Sequence, residues 1–320
     1  MSRFQSFLAP LMEAFITFQI ASGRWNKTYE HNLLLFDRHC TRSFSEAETL
    51  TQEMIDGWCV QRDTETNNSC RTRIYVIVNF VNYLRVREKA DVREPNIPKN
   101  EPCTYIPHAF TGFELENFFR ACDSLPSTSR NLAVLTRRIV VPVFFRLLYS
   151  SGVRTNEARL LHVDDVNLDQ GVLNIRHSKG TFQHYVVLHD TMLDLLKRYN
   201  AAIQALHPRR EYFFPAYNGS YLTNRWVVYH FRKLWHKHNT PHATAYELRH
   251  NYAVENINQW IGEGFEFYSK LVYLSKSMGH SSLESTKYYF SLVPAMADIL
   301  LELTGCDFDN IVPEVDYEES

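Results

Sequence analysis

Paired cysteines are missing from this 320-residue sequence. Its six cysteines, Cys40, Cys59, Cys70, Cys103, Cys122 and Cys306, include no Cys-x-x-Cys pair and no nearby histidine at zinc-ligand spacing. That scatter argues against a metal site and reads as reduced, structural thiols. Long apolar runs are missing too. A bilayer span needs about 18–20 consecutive apolar residues, and Glu13 and Gln19 interrupt even the most apolar stretch of the N-terminus. There Phe4, Phe7, Leu8, Leu11, Met12, Phe15 and Ile16 recur at helical spacing, the pattern of an amphipathic helix rather than of a secretory signal. The expectation is a cytoplasmic protein with no membrane partner.

An excess of positive charge is also lacking, the formal net charge being −2. The charge is unevenly spread, however. Asp307, Asp309, Glu314, Asp316, Glu318 and Glu319 crowd residues 305–320 without one Lys or Arg, and removing those six negative charges takes −2 to +4. A weakly basic body with an acidic tail admits nucleic acid as a partner without requiring it.

At this length two domains are expected rather than one. Helical periodicity marks segments near 4–21, 25–40, 51–63 and 69–88, and three prolines, Pro95, Pro98 and Pro102, then disfavour helix. The organisation read from this is a helical domain over 1–94, a linker over 95–106, a second domain over 107–304 and the acidic tail over 305–320. In the second domain 111–122 and 132–150 read as helices, with Pro142 marking a kink or a late start in the latter. Residues 172–176 and 184–188 read as a β-hairpin whose tip carries Lys179. The fold class is mainly α with a small β-hairpin or sheet.

Four separated pieces carry the chemistry. Ser151-Gly-Val-Arg154-Thr-Asn-Glu157 follows the apolar helix, and Lys179 sits in the hairpin. Tyr246-Glu-Leu-Arg249-His250 opens a later helix, and Met278-Gly-His280 precedes Tyr288-Tyr289. In order and spacing they resemble the tyrosine recombinase (phage integrase) family. Its first arginine lies in a Gly-hydrophobic-Arg-x-x-Glu turn, its lysine on a β-hairpin and its second arginine in a His-x-x-Arg-His box, with the tyrosine nine residues after a Leu-Gly-His. The motifs cover residues 107–295, and the helical N-terminal part fits the family's core-binding domain in size and pattern. The resemblance implies a mostly helical catalytic domain in which Arg154, Lys179, Tyr246, Arg249, His280 and Tyr289 are catalytic, Tyr289 as nucleophile, with Glu157 holding Arg154.

The chemistry itself asks for such a set. Breaking a phosphodiester without a metal requires charge stabilisation, a nucleophile and a proton for the leaving oxygen. Arg154 and Arg249 can fork N–H donors onto the nonbridging oxygens. The resemblance gives Lys179 the departing 5′ oxygen and His280 a hydrogen bond to the phosphate. No cofactor and no metal is called for. Tyr288 competes with Tyr289, but on a helix their hydroxyls diverge by about 100°.

Two departures stand out. Tyr246 occupies the box's first histidine, and a phenol can donate one hydrogen bond but does not titrate near neutral pH. The interval from Arg249 to His280 is long, with an expected insertion near 260–267.

Arg71, Arg73, Arg85, Arg87 and Lys89 in the first domain, with Arg137, Arg138, Arg209, Arg210, Arg225, Arg232 and Lys233 in the second, are the residues expected to follow a DNA backbone. The resemblance implies double-stranded DNA as partner, a homotetramer on paired sites, an accessory directionality factor and a role in integrating or excising a mobile element. An apolar segment at 292–303 would then dock on a neighbouring protomer or pack in cis. A DNA-binding regulator descended from a recombinase and a type IB topoisomerase-like enzyme remain as alternatives.

Overall fold

The computed structural model describes residues 3–25, 27–102, 105–126, 130–176, 183–260 and 265–292. They divide into two compact units between Tyr105 and Ile106. No described helix is long and apolar enough to cross a membrane.

The first unit holds α1 (Ala9–Ala21), α2 (Lys27–Ser43), α3 (Gln52–Cys59) and α4 (Asn67–Arg85). Thr51 and Thr66 start the last two by accepting hydrogen bonds from the backbone N–H of Met54 and Ser69, which satisfies donors a helix start leaves open. Phe15, Phe36, Ile77 and Phe80 are fully buried in their shared core. The first helix starts five residues later than its periodicity predicts. Asp37 of α2 accepts from the N–H of Gln5 at 2.8 Å and from the N–H and Oγ of Ser6 at 2.9 and 2.6 Å. This carboxylate holds the leading residues outside the helix, although Phe4 and Leu8 are buried as their pattern implies.

The proline-rich stretch lies along α4. Asn68 exchanges hydrogen bonds with the backbone of Glu101, its Nδ2 donating at 2.8 Å and its Oδ1 accepting at 3.1 Å, while Arg71 donates to the carbonyl of Pro98.

The second unit begins with α5 (Gly112–Asp123), closed at its start by a reciprocal Thr111–Glu114 capping box. The central α6 (Leu132–Ser151) follows. Pro142 does not end it. Val140, Val141, Phe144, Phe145, Leu147 and Leu148 are all buried, and at about 1.5–3 kcal/mol per buried apolar side chain they outweigh the roughly 3 kcal/mol that an interior proline costs. The helix stops at Gly152, whose φ is +64°. A Cβ there would also lie 2.3 Å from the ring of Tyr252.

After α7 (Thr155–Arg159) comes an antiparallel sheet of β1 (Val166–Asn167), β2 (Val172–Ile175) and β3 (His184–Val187) in the order β1-β2-β3, with Val172 opposite Val187 and Ile175 opposite His184. The remainder comprises α8 (Asp190–Leu206), α9 (Asn224–Trp235), α10 (Glu247–Trp260), α11 (Phe265–Ser277) and α12 (Glu284–Lys287), then a 3-10 turn over Tyr288–Leu292. The architecture is therefore mainly α with a small antiparallel sheet, as expected. The hairpin tip with Lys179, residues 261–264 of the expected insertion, most of the apolar segment at 292–303 and the acidic tail lie outside the described residues.

Candidate active site

Arg154 caps the start of α7, two residues past the turn at Gly152. Glu157 accepts from its backbone N–H at 2.8 Å and from Nη1 at 2.6 Å, and the Gly279 carbonyl accepts from Nη2 at 2.8 Å. The Glu157 carboxylate is buried, so the pair fixes a guanidinium that retains partial access to solvent.

Arg249 arrives from the first turn of α10 and is 2% exposed. Its Nη1 donates to the Gly152 carbonyl at 2.5 Å and its Nη2 to the Met278 carbonyl at 2.7 Å, and Nη2 lies 3.0 Å from Nε2 of His280. The guanidinium thus ties the end of α6 to the turn after α11. Burial, and then the Arg154 charge, lower its affinity for its proton. Two cations share a site with one carboxylate, Glu157, between them. Gathering like charges out of water is costly unless an anion offsets them, and one carboxylate against two guanidiniums leaves this cluster net positive.

His280 follows Gly279, whose φ is +63°. The Gly279 backbone packs so tightly that a Cβ there would lie 2.5 Å from Cε1 of His184 and 3.0 Å from Nη1 of Arg154. His280 Nδ1 is 2.7 Å from Oγ1 of Thr286. Burial first, then the charges of Arg249 and Arg154, push its pKa down to about 4.

The two adjacent tyrosines have different surroundings. Tyr289 is 3% exposed, packs with Ala253, Ile257 and Met278, and stacks on His280 with ring centroids 6.2 Å apart and planes 15° apart. Burial raises its pKa, opposed by the charge of Arg249 and by a hydrogen bond with it. Tyr288 is 45% exposed, and its ring meets that of Tyr289 at 69°. Tyr246 is 46% exposed and sets its ring 5.1 Å from that of His250. It adds to the rise at Tyr289. The structure therefore brings Arg154, Glu157, Arg249, His280 and Tyr289 into one connected cluster with Tyr246 beside it.

Two further residues of the cluster have no counterpart in the sequence reading. His184, buried on β3, places Nε2 3.9 Å from the Glu157 carboxylate. Thr286 is fully buried beneath His280. The inward alternation of β3 marks His184 as buried, whereas nothing local marks Thr286.

The basic residues expected on DNA separate into two kinds. Arg73 is 4% exposed and is withdrawn from that set. Its Nε and Nη2 donate to the Glu65 carboxylate at 2.9 and 2.6 Å, and its remaining donors go to the carbonyls of Trp58 and Val60. The Arg73 guanidinium holds the Glu65 carboxyl down at about 2. This arginine staples the end of α3 to α4. Arg210 is likewise buried against Gln204 and Asn200. Arg71 reaches the Tyr75 hydroxyl at 3.0 Å, Arg85 lies 3.7 Å from Glu94, Arg87 stacks 3.9 Å over the Tyr83 ring, and Lys89 is exposed. On α9, Arg225, Arg232 and Lys233 are exposed.

Residues 108–295 match the model of the phage integrase family. The chain belongs to that family, the tyrosine recombinases, enzymes that break and rejoin DNA strands. It is 25% identical over 304 residues to a putative integrase/recombinase, y4rE, of Sinorhizobium fredii, covering 91% of this chain and 94% of the relative. It is 29% identical over 228 residues to the tyrosine recombinase XerC of Bacillus subtilis, covering 68% of each. Among solved structures, the XerH site-specific recombinase bound to its palindromic difH substrate superposes with a TM-score of 0.58 at 18% identity, over 87% of this chain and 78% of that one. A lambda integrase dimer on a core site gives 0.58 at 14% identity, over 88% and 94%. These two likenesses speak to the fold.

Proposed function

We propose that the chain is a site-specific recombinase that cuts and rejoins double-stranded DNA through a 3′-phosphotyrosyl bond to Tyr289, in the integration or excision of a mobile element. The carrying observation is the stack of Tyr289 on a histidine that is itself bonded to Arg249. Of the two adjacent phenols, this is the buried one, and it lies within reach of the Arg249 charge.

Arg154 and Arg249 hold the nonbridging oxygens of the scissile phosphate, where negative charge grows as the pentavalent transition state forms. Their field favours the phenolate, countering the burial that otherwise keeps the phenol protonated. Tyr289 Oη forms a bond to phosphorus as the bond to the 5′ oxygen breaks, and that oxygen takes its proton from Lys179. Tyr246 donates one hydrogen bond to the phosphate. The phosphotyrosyl ester preserves the energy of the broken bond, so a free 5′ hydroxyl from a second duplex reverses the step without ATP.

Recombination joins two duplexes cut at four strands, so the active assembly is a homotetramer on paired sites, and an accessory factor sets direction. The lambda integrase tetramer on a Holliday junction is a solved example of such an assembly in a protein of the same fold. Arg71, Arg85, Arg87 and Lys89 of the first unit follow the DNA backbone, and the protein works in the cytoplasm.

The test is a nicked suicide duplex carrying the element's end. A covalent protein–DNA adduct is expected with the wild type and with Tyr288→Phe, and none with Tyr289→Phe. Loss of the adduct in Tyr288→Phe alone would move the nucleophile, and no adduct with any variant would leave a DNA-binding regulator. Relaxation of supercoils without exchange between duplexes would indicate a topoisomerase.

A further inference from the structure

Thr286 lies within α12, fully buried, three residues before Tyr289 and 2.7 Å from Nδ1 of His280. On the opposite side of that ring, Nε2 is 3.0 Å from Nη2 of Arg249. A guanidinium has donors and no acceptor, so the nitrogen facing it must present its lone pair. The single proton of the neutral imidazole is therefore on Nδ1, where it is donated to Thr286 Oγ1. The neutral form is the one its surroundings favour. Arg249 of α10, Arg154 and Glu157 of the α7 region, His184 of β3 and the stacked Tyr289 face the ring. Burial first, then the charges of Arg249 and Arg154, opposed by Glu157, place its pKa at about 4.

This tautomer is the wrong one for the proposed reaction. Phosphate oxygens only accept, and an Nε2 lone pair repels them, so a phosphate held by Arg249 needs a proton on Nε2. The ring can supply it without a change of charge if Nδ1 gives up its proton and Nε2 gains one, both by exchange with water. Nδ1 then needs a donor below it. A hydroxyl both accepts and donates, and Thr286 is placed to do each in turn.

Resting on the function proposed above, we propose that Thr286 is a positioning residue that switches the His280 tautomer. It accepts from Nδ1–H while Nε2 serves Arg249, and it donates to Nδ1 once Nε2–H turns to the scissile phosphate. Because α12 leads directly into Tyr289, the same contact keeps the histidine in register with the attacking phenol.

Two measurements test this on the full-length chain. Nitrogen-15 NMR of the histidines, assigned with His280→Gln, is expected to report the Nδ1–H form of His280 in the free protein and the Nε2–H form when Tyr289→Phe protein binds duplex DNA carrying the element's end. The Nε2–H form in the free protein, or no change on the duplex, overturns the switch. In single-turnover cleavage at saturating DNA, Thr286→Val, which keeps the shape and loses the hydroxyl, is expected to be about tenfold slower with unchanged DNA affinity, less than the roughly 10²- to 10⁴-fold that loss of a proton-transfer group itself brings. Thr286→Ser is expected to restore most of the rate. Equal loss in the valine and serine variants would assign Thr286 to packing. If even the wild type forms no adduct, the function proposed above fails, while the NMR comparison still decides the tautomer.

Discussion

Nη2 of Arg249 reaches both the Met278 carbonyl at 2.7 Å and Nε2 of His280 at 3.0 Å. One planar group therefore sets the height of the turn that carries His280 and, through the stack on His280, the seat of Tyr289. A lysine has one ammonium at the end of a flexible stem and cannot span the Gly152 and Met278 carbonyls together. Arg249→Lys is expected to lower single-turnover cleavage by about 10²- to 10³-fold, the usual loss on removing a positioned transition-state donor. Cleavage within about threefold of wild type would show that charge alone suffices.

Arg73 and Arg87 sit on the same helix or at its end and invite opposite outcomes. Breaking a buried ion pair costs about 3–5 kcal/mol because a carboxylate is left unpaired. Arg73→Met is therefore expected to lower the Tm by several degrees while leaving the salt dependence of DNA binding in the folded fraction unchanged. Arg87→Ala is expected to leave the Tm in place and reduce the slope of log affinity against log salt by about 1, the change for one lost phosphate contact. Equal Tm values for the two variants would remove the distinction.

Two histidines make stability depend on pH. His230, buried against Trp226 with ring centroids 4.5 Å apart, is pushed down to about 4 by burial, Arg137 and Lys233, and His280 is pushed equally low. In the unfolded chain each binds a proton near 6.5, so between about 6.5 and 4 the unfolded state holds more protons and is favoured as pH falls. Stability from these groups is full above that window and lost through it. Thermal melts from pH 7.5 to 5 are expected to show a falling Tm, with a shallower fall in His230→Leu. An identical pH slope in that variant would exclude His230 as a cause.

Legibility in the sequence followed the range of the interactions involved. Helical periodicity located the elements of the first unit, and the alternation around 172–188 located the hairpin strands, because each pattern records which face is buried. What it missed was set from a distance. The start of α1 is decided by Asp37, some 31 residues away. The burial of Arg73 depends on Glu65 folding back across a loop, and a charge count treats both as solvated. Pro142 reads as a break because its cost is local, whereas the burial that offsets it belongs to the whole unit. At the site, motif spacing brought forward Arg154, Arg249, His280 and Tyr289, since each sits in a recognisable turn. His184 and Thr286 have no such frame, and their part is visible only where β3 and α12 meet the turn at Gly279 and His280.

From β3, His184 places Nε2 3.9 Å from the Glu157 carboxylate, and its ring leaves no room for a side chain at Gly279. His184→Phe retains the ring and removes the nitrogens facing the carboxylate. Arg154 would then be held less firmly, so the expected result is cleavage slowed by about tenfold at saturating DNA, short of the roughly 10²-fold that a full ångström of misplacement can cost, with near-native Tm and affinity. His184→Arg, which puts a charged donor beside Glu157, is expected to be faster than the phenylalanine variant. A phenylalanine variant as active as wild type would reduce His184 to a packing residue.

The role of Lys179 is separable from that of the arginines by changing the leaving group rather than the protein. If Lys179 protonates the departing 5′ oxygen, its absence matters only when that atom needs a proton. A 5′-bridging sulfur leaves as a thiolate, whose conjugate acid has a pKa of about 8.5 for a cysteine-like thiol, and departs without help. Lys179→Ala is expected to cleave an ordinary suicide duplex about 10²-fold or more slowly, within the range for lost general-acid catalysis. On a duplex with sulfur at the scissile 5′ position it should approach the wild-type rate. Arg249→Lys should remain slow on both substrates, since charge on the nonbridging oxygens is unchanged by the sulfur. Failure of the sulfur substrate to rescue Lys179→Ala would move this lysine from proton donor to phosphate binder and leave the acid to be sought at Tyr246 or His280.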